Sequence, residues 1–280
     1  MKPNFVVLTD FTPAADRVLA YATTLAAPLG AELHLVHVFL PTPITSEYGT
    51  VLPIIDVDYV PETRRALERV AAELPVPATA ELVESDWQSA VAQSLDKYHP
   101  LLLIAGLTAT HGQFDEWMSN RAVPLAHQTG YPLLLVPEHL PQSVQHPPRR
   151  LAFAVEDRPF RLVPEARAAA PLFDALGTEI ITVSVLEPQE RAGGWEGLTA
   201  AQQCGLAATM PRSGLHKVVG EHPGTGILQA VENLNADMLA LLDQGHGWAH
   251  KLFSGSVIDH VLRHVRVPVL LLSGHIIVTE

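Results

Sequence analysis

A glycine-containing stretch near the end of the chain has residue types and spacing that suit an anion. Gly245 and Gly255 are separated by nine residues, and Ser256 and Val257 follow at the start of a predicted helix. Glycine lets backbone approach an anion closely, and the first N–H groups of a helix, together with a serine hydroxyl, attract negative charge. The stretch therefore predicts an anion-binding site.

Two acidic residues follow strands that open the two halves of the chain. Asp10 comes after a strand at 5–9, and Glu156 comes after a strand at 151–155. Each is the single strand-end carboxylate of its half, whereas general acid–base catalysis needs paired carboxylates in one cleft. The segment around Ser256 also lacks the Gly-x-Ser-x-Gly turn of a hydrolase nucleophile. These residues favour a ligand-orienting role, and a hydrolase or transferase that uses the same crevice remains the weakest alternative.

Histidine and cysteine do not predict a metal centre. The chain has 14 histidines, of which the pairs His246 with His250 and His260 with His264 have the i, i+4 spacing of metal ligands on a helix. Neither pair has an acidic or thiol third ligand at a recognised spacing. Cys204 is the single cysteine, which excludes an internal disulfide and suits the reducing cytoplasm.

Apolar runs, helical periodicity and turn residues predict alternating strands and helices in the first half. This alternation is typical of right-handed βαβ crossovers and a parallel sheet. A proline-containing segment at 41–61 has no assigned role. The predicted strands are 5–9, 32–39, 80–83, 101–106 and 133–136, and the predicted helices are 14–29, 62–74, 86–98 and 121–129.

The same pattern then restarts, which indicates an internal duplication. A proline-rich linker at 137–150 separates a predicted domain at 1–140 from a second at 150–280. The second half has predicted strands at 151–155, 179–186, 216–219, 237–242 and 267–272, and helices at 164–176, 226–234 and 257–264.

Composition excludes several kinds of partner. The formal net charge is −12, which disfavours nucleic acid because phosphate-backbone binding needs clustered Lys and Arg. No apolar run is long enough to span a membrane or to form a signal peptide, so neither a membrane nor secretion is predicted. The hydrophobic fraction of 48% is ample for two buried cores.

Four motifs together resemble the universal stress protein family. They are Thr9-Asp10-Phe11-Thr12 after the first strand, Gly255-Ser256 before a helix, Arg263-His264 at the end of that helix, and the strand Val267-Pro268-Val269-Leu270-Leu271-Leu272. The resemblance implies an α/β fold of two tandem doubly wound domains. Each would be Rossmann-like, similar to adenine nucleotide alpha hydrolases, with a five-stranded parallel sheet between helices. It also implies that the last strands, from Leu133 to Val136 and from Val269 to Leu272, meet as an intramolecular pseudo-dimer.

The nucleotide-binding members of that family carry Gly-x-x-Gly, nine residues, then Gly-Ser or Gly-Thr. The chain departs from this pattern in both halves, with Ala109 and Ser119-Asn120 in the first and Leu242 and the longer Glu156 in the second. ATP or a related adenine nucleotide is the implied ligand, with the second half favoured over the first. The implied binding residues are Asp10, Val38, Gly106, Ala109, Ser119, Asn120, Glu156, Val185, Leu242, Gly245, Gly255, Ser256 and Val257.

The resemblance implies a stress-response protein that senses a small ligand and is not a dedicated enzyme, with ATP hydrolysis slow if it occurs. The alternative is an interaction or scaffold protein for an unidentified protein partner, with its pockets filled by side chains such as Leu242. A crevice occupied by side chains would favour this alternative.

Overall fold

The computed structural model describes residues 2–10, 13–39, 44–46, 49–51, 58–107, 128–208, 214–220, 222–243 and 257–277. The strands are β1 (Asn4–Leu8), β2 (Glu32–Phe39), β3 (Ile44–Ser46), β4 (Gly49–Val51), β5 (Ala78–Glu84), β6 (Leu102–Leu107), β7 (Leu133–Pro137), β8 (Arg150–Ala154), β9 (Phe160–Leu162), β10 (Glu179–Leu186), β11 (Leu215–Val219), β12 (Met238–Asp243) and β13 (Val269–Ile276). The helices are α1 (Pro13–Leu29), α2 (Tyr59–Glu73), α3 (Trp87–Tyr98), α4 (Pro164–Arg167), α5 (Ala170–Leu176), α6 (Trp195–Gln203), α7 (Pro223–Leu234) and α8 (Val257–His264).

One central sheet runs through the described part of the chain. Its strand order is β11-β10-β8-β12-β13-β7-β6-β1-β2-β5, while β9 pairs with β13, and β3 and β4 form a separate hairpin. Neighbours in this order are parallel except for β13 and β7, which are antiparallel. In each half the five parallel strands follow the order third, second, first, fourth, fifth. The predicted doubly wound α/β fold is confirmed.

The last strands of the two halves lie side by side. Val269, Leu270 and Leu271 of β13 pair in antiparallel register with Leu135, Leu134 and Leu133 of β7. All six residues are buried. This seam joins the two sets of parallel strands into one sheet.

Helices cover both faces of the sheet. Successive residues of a strand point to opposite faces, so each face has its own buried cluster. One buried cluster contains Phe5 and Phe153 and packs against α1, α5 and α6. The other contains Val6 and Ala152 and packs against α3, α7 and α8. The near-continuous apolar strands are therefore covered on both faces, as is usual for parallel sheets.

The second half differs from the prediction in three places. The helix predicted at 164–176 is two helices, α4 and α5, because Pro171 has no N–H to donate to the carbonyl of Arg167. The strand β9 and the helix α6 were not predicted. In the first half, the helix predicted at 121–129 lies outside the described residues except for positions 128 and 129.

Candidate functional site

The carboxyl end of the first strand in each half leads to the predicted acidic residue. Asp10 lies two residues beyond β1, and Glu156 lies two residues beyond β8. Both strands have parallel neighbours on either side. In open α/β sheets, ligands bind in the crevice outside these strand ends. The sheet therefore presents two candidate crevices at the same kind of position.

Among the described residues, the crevice of the first half contains a cavity. A cavity of about 1090 Å³ lies between the strand ends and α2. It is large enough for a small organic ligand. Its lining residues are Asp10, His37, Tyr59, Glu62, Thr63, Arg65, Ala66, Glu68, Arg69 and Ala72.

The strand wall of this cavity is fixed by a hydrogen bond from β2 to the segment that follows β1. His37 of β2 is buried, and its Nδ1 donates to the carbonyl oxygen of Thr9 at 2.8 Å. This bond holds the imidazole beside Asp10. On β6, a Cβ built at Gly106 would lie 3.4 Å from Cγ2 of Val18, an ordinary contact distance, so Gly106 leaves little space empty. Val38, the next residue of β2, is partly buried, and neither Val38 nor Gly106 is among the residues that line the cavity.

The helical wall carries an aromatic ring and two guanidinium groups. The Tyr59 ring is 39% exposed and lies 4.7 Å from the Phe39 ring, centroid to centroid. Arg65 and Arg69 are one helical turn apart and exposed. Neither makes a side-chain hydrogen bond or ion pair to another residue of the described chain. Sequence reasoning missed this wall, although the i, i+3 and i, i+4 spacing of its residues is visible in the sequence.

Side chains fill the corresponding crevice of the second half. Leu242 stands where the first half has Gly106, and it is buried in the core. Its Cδ1 would lie 2.8 Å from a Cβ built at Gly274 of β13, so the leucine packs against the glycine backbone. Next to this contact, β9 pairs with the end of β13 and buries Phe160 and Leu162.

The helix α6 closes the same crevice from the other side. Asp157 holds its first turn, because Oδ2 accepts from the backbone N–H of Gly194 at 2.5 Å and Oδ1 accepts from Glu196 at 2.9 Å and Gly197 at 3.1 Å. A Cβ at Gly197 would collide with the carbonyl oxygen of Glu156. The backbone of α6 therefore lies directly on the strand end.

The remaining predicted residues of the second half serve packing or fall outside the description. The Glu156 carboxylate lies 3.4 Å from Nε of Arg158 in an ion pair and is largely buried. Val185 packs against α7, since a Cβ at Gly226 would lie 2.6 Å from its Cγ1. Val257 begins α8 and is buried. Gly245, Gly255 and Ser256, like Ala109, Ser119 and Asn120 of the first half, lie outside the described residues.

Other reactive groups of the described chain do not form a second site. No three metal-ligating side chains cluster within the described ranges. His264 makes a 2.8 Å hydrogen bond from Nδ1 to the carbonyl oxygen of His260, while His246 and His250 are not described. Burial raises the pKa of the Cys204 thiol to about 11, so this cysteine is an unreactive thiol at neutral pH. Of the helices described, none is long and apolar enough to cross a membrane.

The fold is that of a doubly wound α/β protein, in which the carboxyl ends of the strands are the usual position of a ligand crevice. A model of the universal stress protein family matches residues 1–137 and 199–273. The chain belongs to the universal stress protein family. The unmatched segment between these regions contains β9, Asp157 and the first turn of α6. The same segment also contains β8 and β10, which follow the strand order of the first half.

Solved structures share the fold over nearly the whole chain. A universal stress protein from Archaeoglobus fulgidus DSM 4304 has a TM-score of 0.66 at 17% identity, covering 98% of this chain and 97% of that one. A protein from Pseudomonas aeruginosa UCBPP-PA14, provisionally assigned to the same family, has a TM-score of 0.58 at 15% identity, with 98% and 94% covered. The cytoplasmic domain of a prokaryotic cation chloride cotransporter has a TM-score of 0.51 at 11% identity, with 98% and 96% covered. No curated protein matches the sequence.

Proposed function

We propose that this stress-response protein binds an adenine nucleotide, or a related small anion, in the crevice of its first half. The observation that carries the proposal is the cavity of about 1090 Å³ beside Asp10. A carboxylate at this position can accept hydrogen bonds from ribose hydroxyls or from a base amino group. The sequence had favoured the second half, but there α6 packs on the backbone of Glu156, and Leu242 is buried in the core.

The proposed activity is binding and not catalysis. Universal stress proteins are generally non-enzymatic, and among the described lining residues Asp10 is the one carboxylate at the strand end. Fast phosphoryl transfer needs metal-binding carboxylates and a positioned base around the phosphates. Any ATP hydrolysis is therefore expected to be slow. The protein would act through the difference between its ligand-bound and ligand-free states.

The second candidate function is a scaffold that recruits a protein partner. The filled crevice of the second half favours it, because side chains and backbone occupy the space where a ligand would sit. In a combined form, the open half senses the ligand and the closed half supports a partner surface. The acidic net charge of −12 speaks against nucleic acid as that partner, and the single cysteine suits the cytoplasm.

Isothermal titration of the nucleotide-stripped protein with ATP tests the proposal. We expect saturable binding that Asp10→Ala weakens by about tenfold, the effect of losing a hydrogen bond to a charged group. The matched control is Glu156→Ala, which removes the equivalent carboxylate from the closed half and should leave the affinity unchanged.

Two results would contradict the proposal. If Glu156→Ala abolishes ATP binding and Asp10→Ala does not change it, the site lies in the second half. No heat at millimolar ATP would leave the scaffold function as the better conclusion.

A further inference from the structure

We infer that α2 holds the anionic end of the ligand in the first-half crevice, through Arg65 and Arg69, and that Tyr59 packs against its planar ring. The inference rests on the proposed function and extends it to a ligand class: a planar aromatic ring that carries a phosphate chain or a similar anion. It assigns phosphate recognition to a helix face, where the sequence pattern assigns it to a glycine loop.

The first observation is the position of the arginines. Arg65 and Arg69 both line the cavity, and their i, i+4 spacing places them on one face of α2. Arginine forms bidentate hydrogen bonds with phosphate or carboxylate oxygens. Two guanidinium groups one turn apart can therefore bracket one anionic group.

The second observation is that these guanidinium groups have no protein partner in the described chain. Elsewhere, Arg150 pairs with Glu179 at 3.0 Å, Arg158 with Glu156 at 3.4 Å, and Arg263 with Asp259 at 3.1 Å. Arg65 and Arg69 have neither an ion pair nor a side-chain hydrogen bond to the described residues, although Glu62 and Glu68 lie on the same helix. Their charge is available to a ligand.

The third observation is the aromatic ring at the start of the same helix. Tyr59 is partly exposed and rests against Phe39, so one side of its ring is supported by the protein. From Tyr59, the helical rise places Arg65 about 9 Å and Arg69 about 15 Å along the axis. This separation suits a ligand with a ring at one end and an extended anionic chain at the other.

The acidic residues of the lining restrict what the crevice accepts. Glu62 and Glu68, together with Asp10, outnumber the two arginines. A small anion without a ring would meet net negative charge, so ring contacts and bidentate pairing must both contribute. We therefore expect weaker binding of inorganic phosphate than of ATP, and tighter ATP binding in Glu62→Gln.

The test compares three arginines of one helix by isothermal titration with ATP and with adenosine. Arg65→Ala and Arg69→Ala should each weaken ATP binding by about tenfold, the effect expected for losing one charged hydrogen-bonding partner. Adenosine, which lacks phosphate, should bind these variants as it binds the unaltered protein. Arg64→Ala is the matched control, because Arg64 is exposed on α2 but does not line the cavity.

The outcomes separate this inference from the proposed function. If Asp10→Ala weakens ATP binding while Arg65→Ala and Arg69→Ala behave as Arg64→Ala does, the crevice is the site and the assignment of α2 is wrong. If the unaltered protein binds no ATP, the proposed function fails and the inference fails with it. Equal unfolding temperatures of the three arginine variants would show that the comparison reports on binding and not on folding.

Discussion

The two halves of the sheet share one strand order but differ where their first strands end. In the first half, an open cavity separates Asp10 from α2. In the second half, α6 lies on the backbone of Glu156, and Leu242 and β9 occupy the adjoining space. Repetition of a fold therefore does not imply repetition of a site, because a few residues around a strand end decide whether a crevice exists.

Removing the leucine that fills the second half should have the largest effect on this comparison. Leu242→Ala deletes a buried side chain, and we expect the free energy of unfolding to fall by about 3 kcal/mol. Denaturant unfolding measures the loss. In the first half, Gly106→Ala adds a methyl group at ordinary contact distance from Val18 and should cost less. Equal losses in both variants would contradict the expectation that the side chain of Leu242 stabilises the second half more than a methyl group at position 106 disturbs the first.

A smaller loss of stability is expected when the contact between α6 and the backbone of Glu156 is disturbed. A Cβ in Gly197→Ala would collide with the backbone of Glu156 and displace the helix, at a cost of about 2 kcal/mol. Thermal unfolding reports this change. The control is Gly220→Ala, since a Cβ there would have no neighbour within 4 Å. If Gly197→Ala is as stable as the control, α6 does not close the crevice in solution.

The Asp157 carboxylate should contribute less than the packing around it. Asp157→Ala removes the acceptor for three backbone N–H groups at the start of α6, and loss of such a helix cap costs about 1.5 kcal/mol. Hydrogen exchange should then accelerate in α6 and remain slow in α7. Unchanged exchange in α6 would show that packing alone holds the helix.

The smallest expected effect is a pH dependence confined to the first half. Burial holds the pKa of the His34 imidazole below its ordinary value of 6.5, against the opposing influence of Glu32 and Glu81. The unfolded chain therefore takes up the proton first as the pH falls, so the free energy of unfolding should decrease below about pH 6.5. His34 of β2 and Ile181 of β10 occupy equivalent positions in the two halves. His34→Ile should therefore reduce the pH dependence of the free energy of unfolding.

Chemical denaturation between pH 7.5 and 5 compares the unaltered protein with this variant. If the free energy of unfolding falls equally with pH in both proteins, other histidines cause the pH dependence, and the halves do not differ in this respect.

The sequence predicted the sheet because its apolar strands, helix stops and linker are local signals. It also placed Asp10 and Glu156 at strand ends correctly. It did not predict α6, because no residue next to Gly194 caps that helix and the capping carboxylate of Asp157 is 37 positions away. The strand β9 was missed since three residues are too few for a periodic pattern and its partner, β13, lies at the far end of the chain.

For the second crevice, the sequence offered a pocket filled by Leu242 as the alternative, but it could not show what the leucine packs against. The open crevice was only half predicted. Its strand wall follows from Asp10 and β2, whereas the wall formed by α2 depends on how that helix docks.

The antiparallel seam between β7 and β13 has a consequence for stoichiometry. Two identical chains related by a two-fold axis must present identical sites, both open or both closed. Here the equivalent partners are encoded in one polypeptide, so each can change sequence independently while the seam keeps them together. The difference between the two sites is therefore encoded in the sequence, and we expect one ligand to bind per chain.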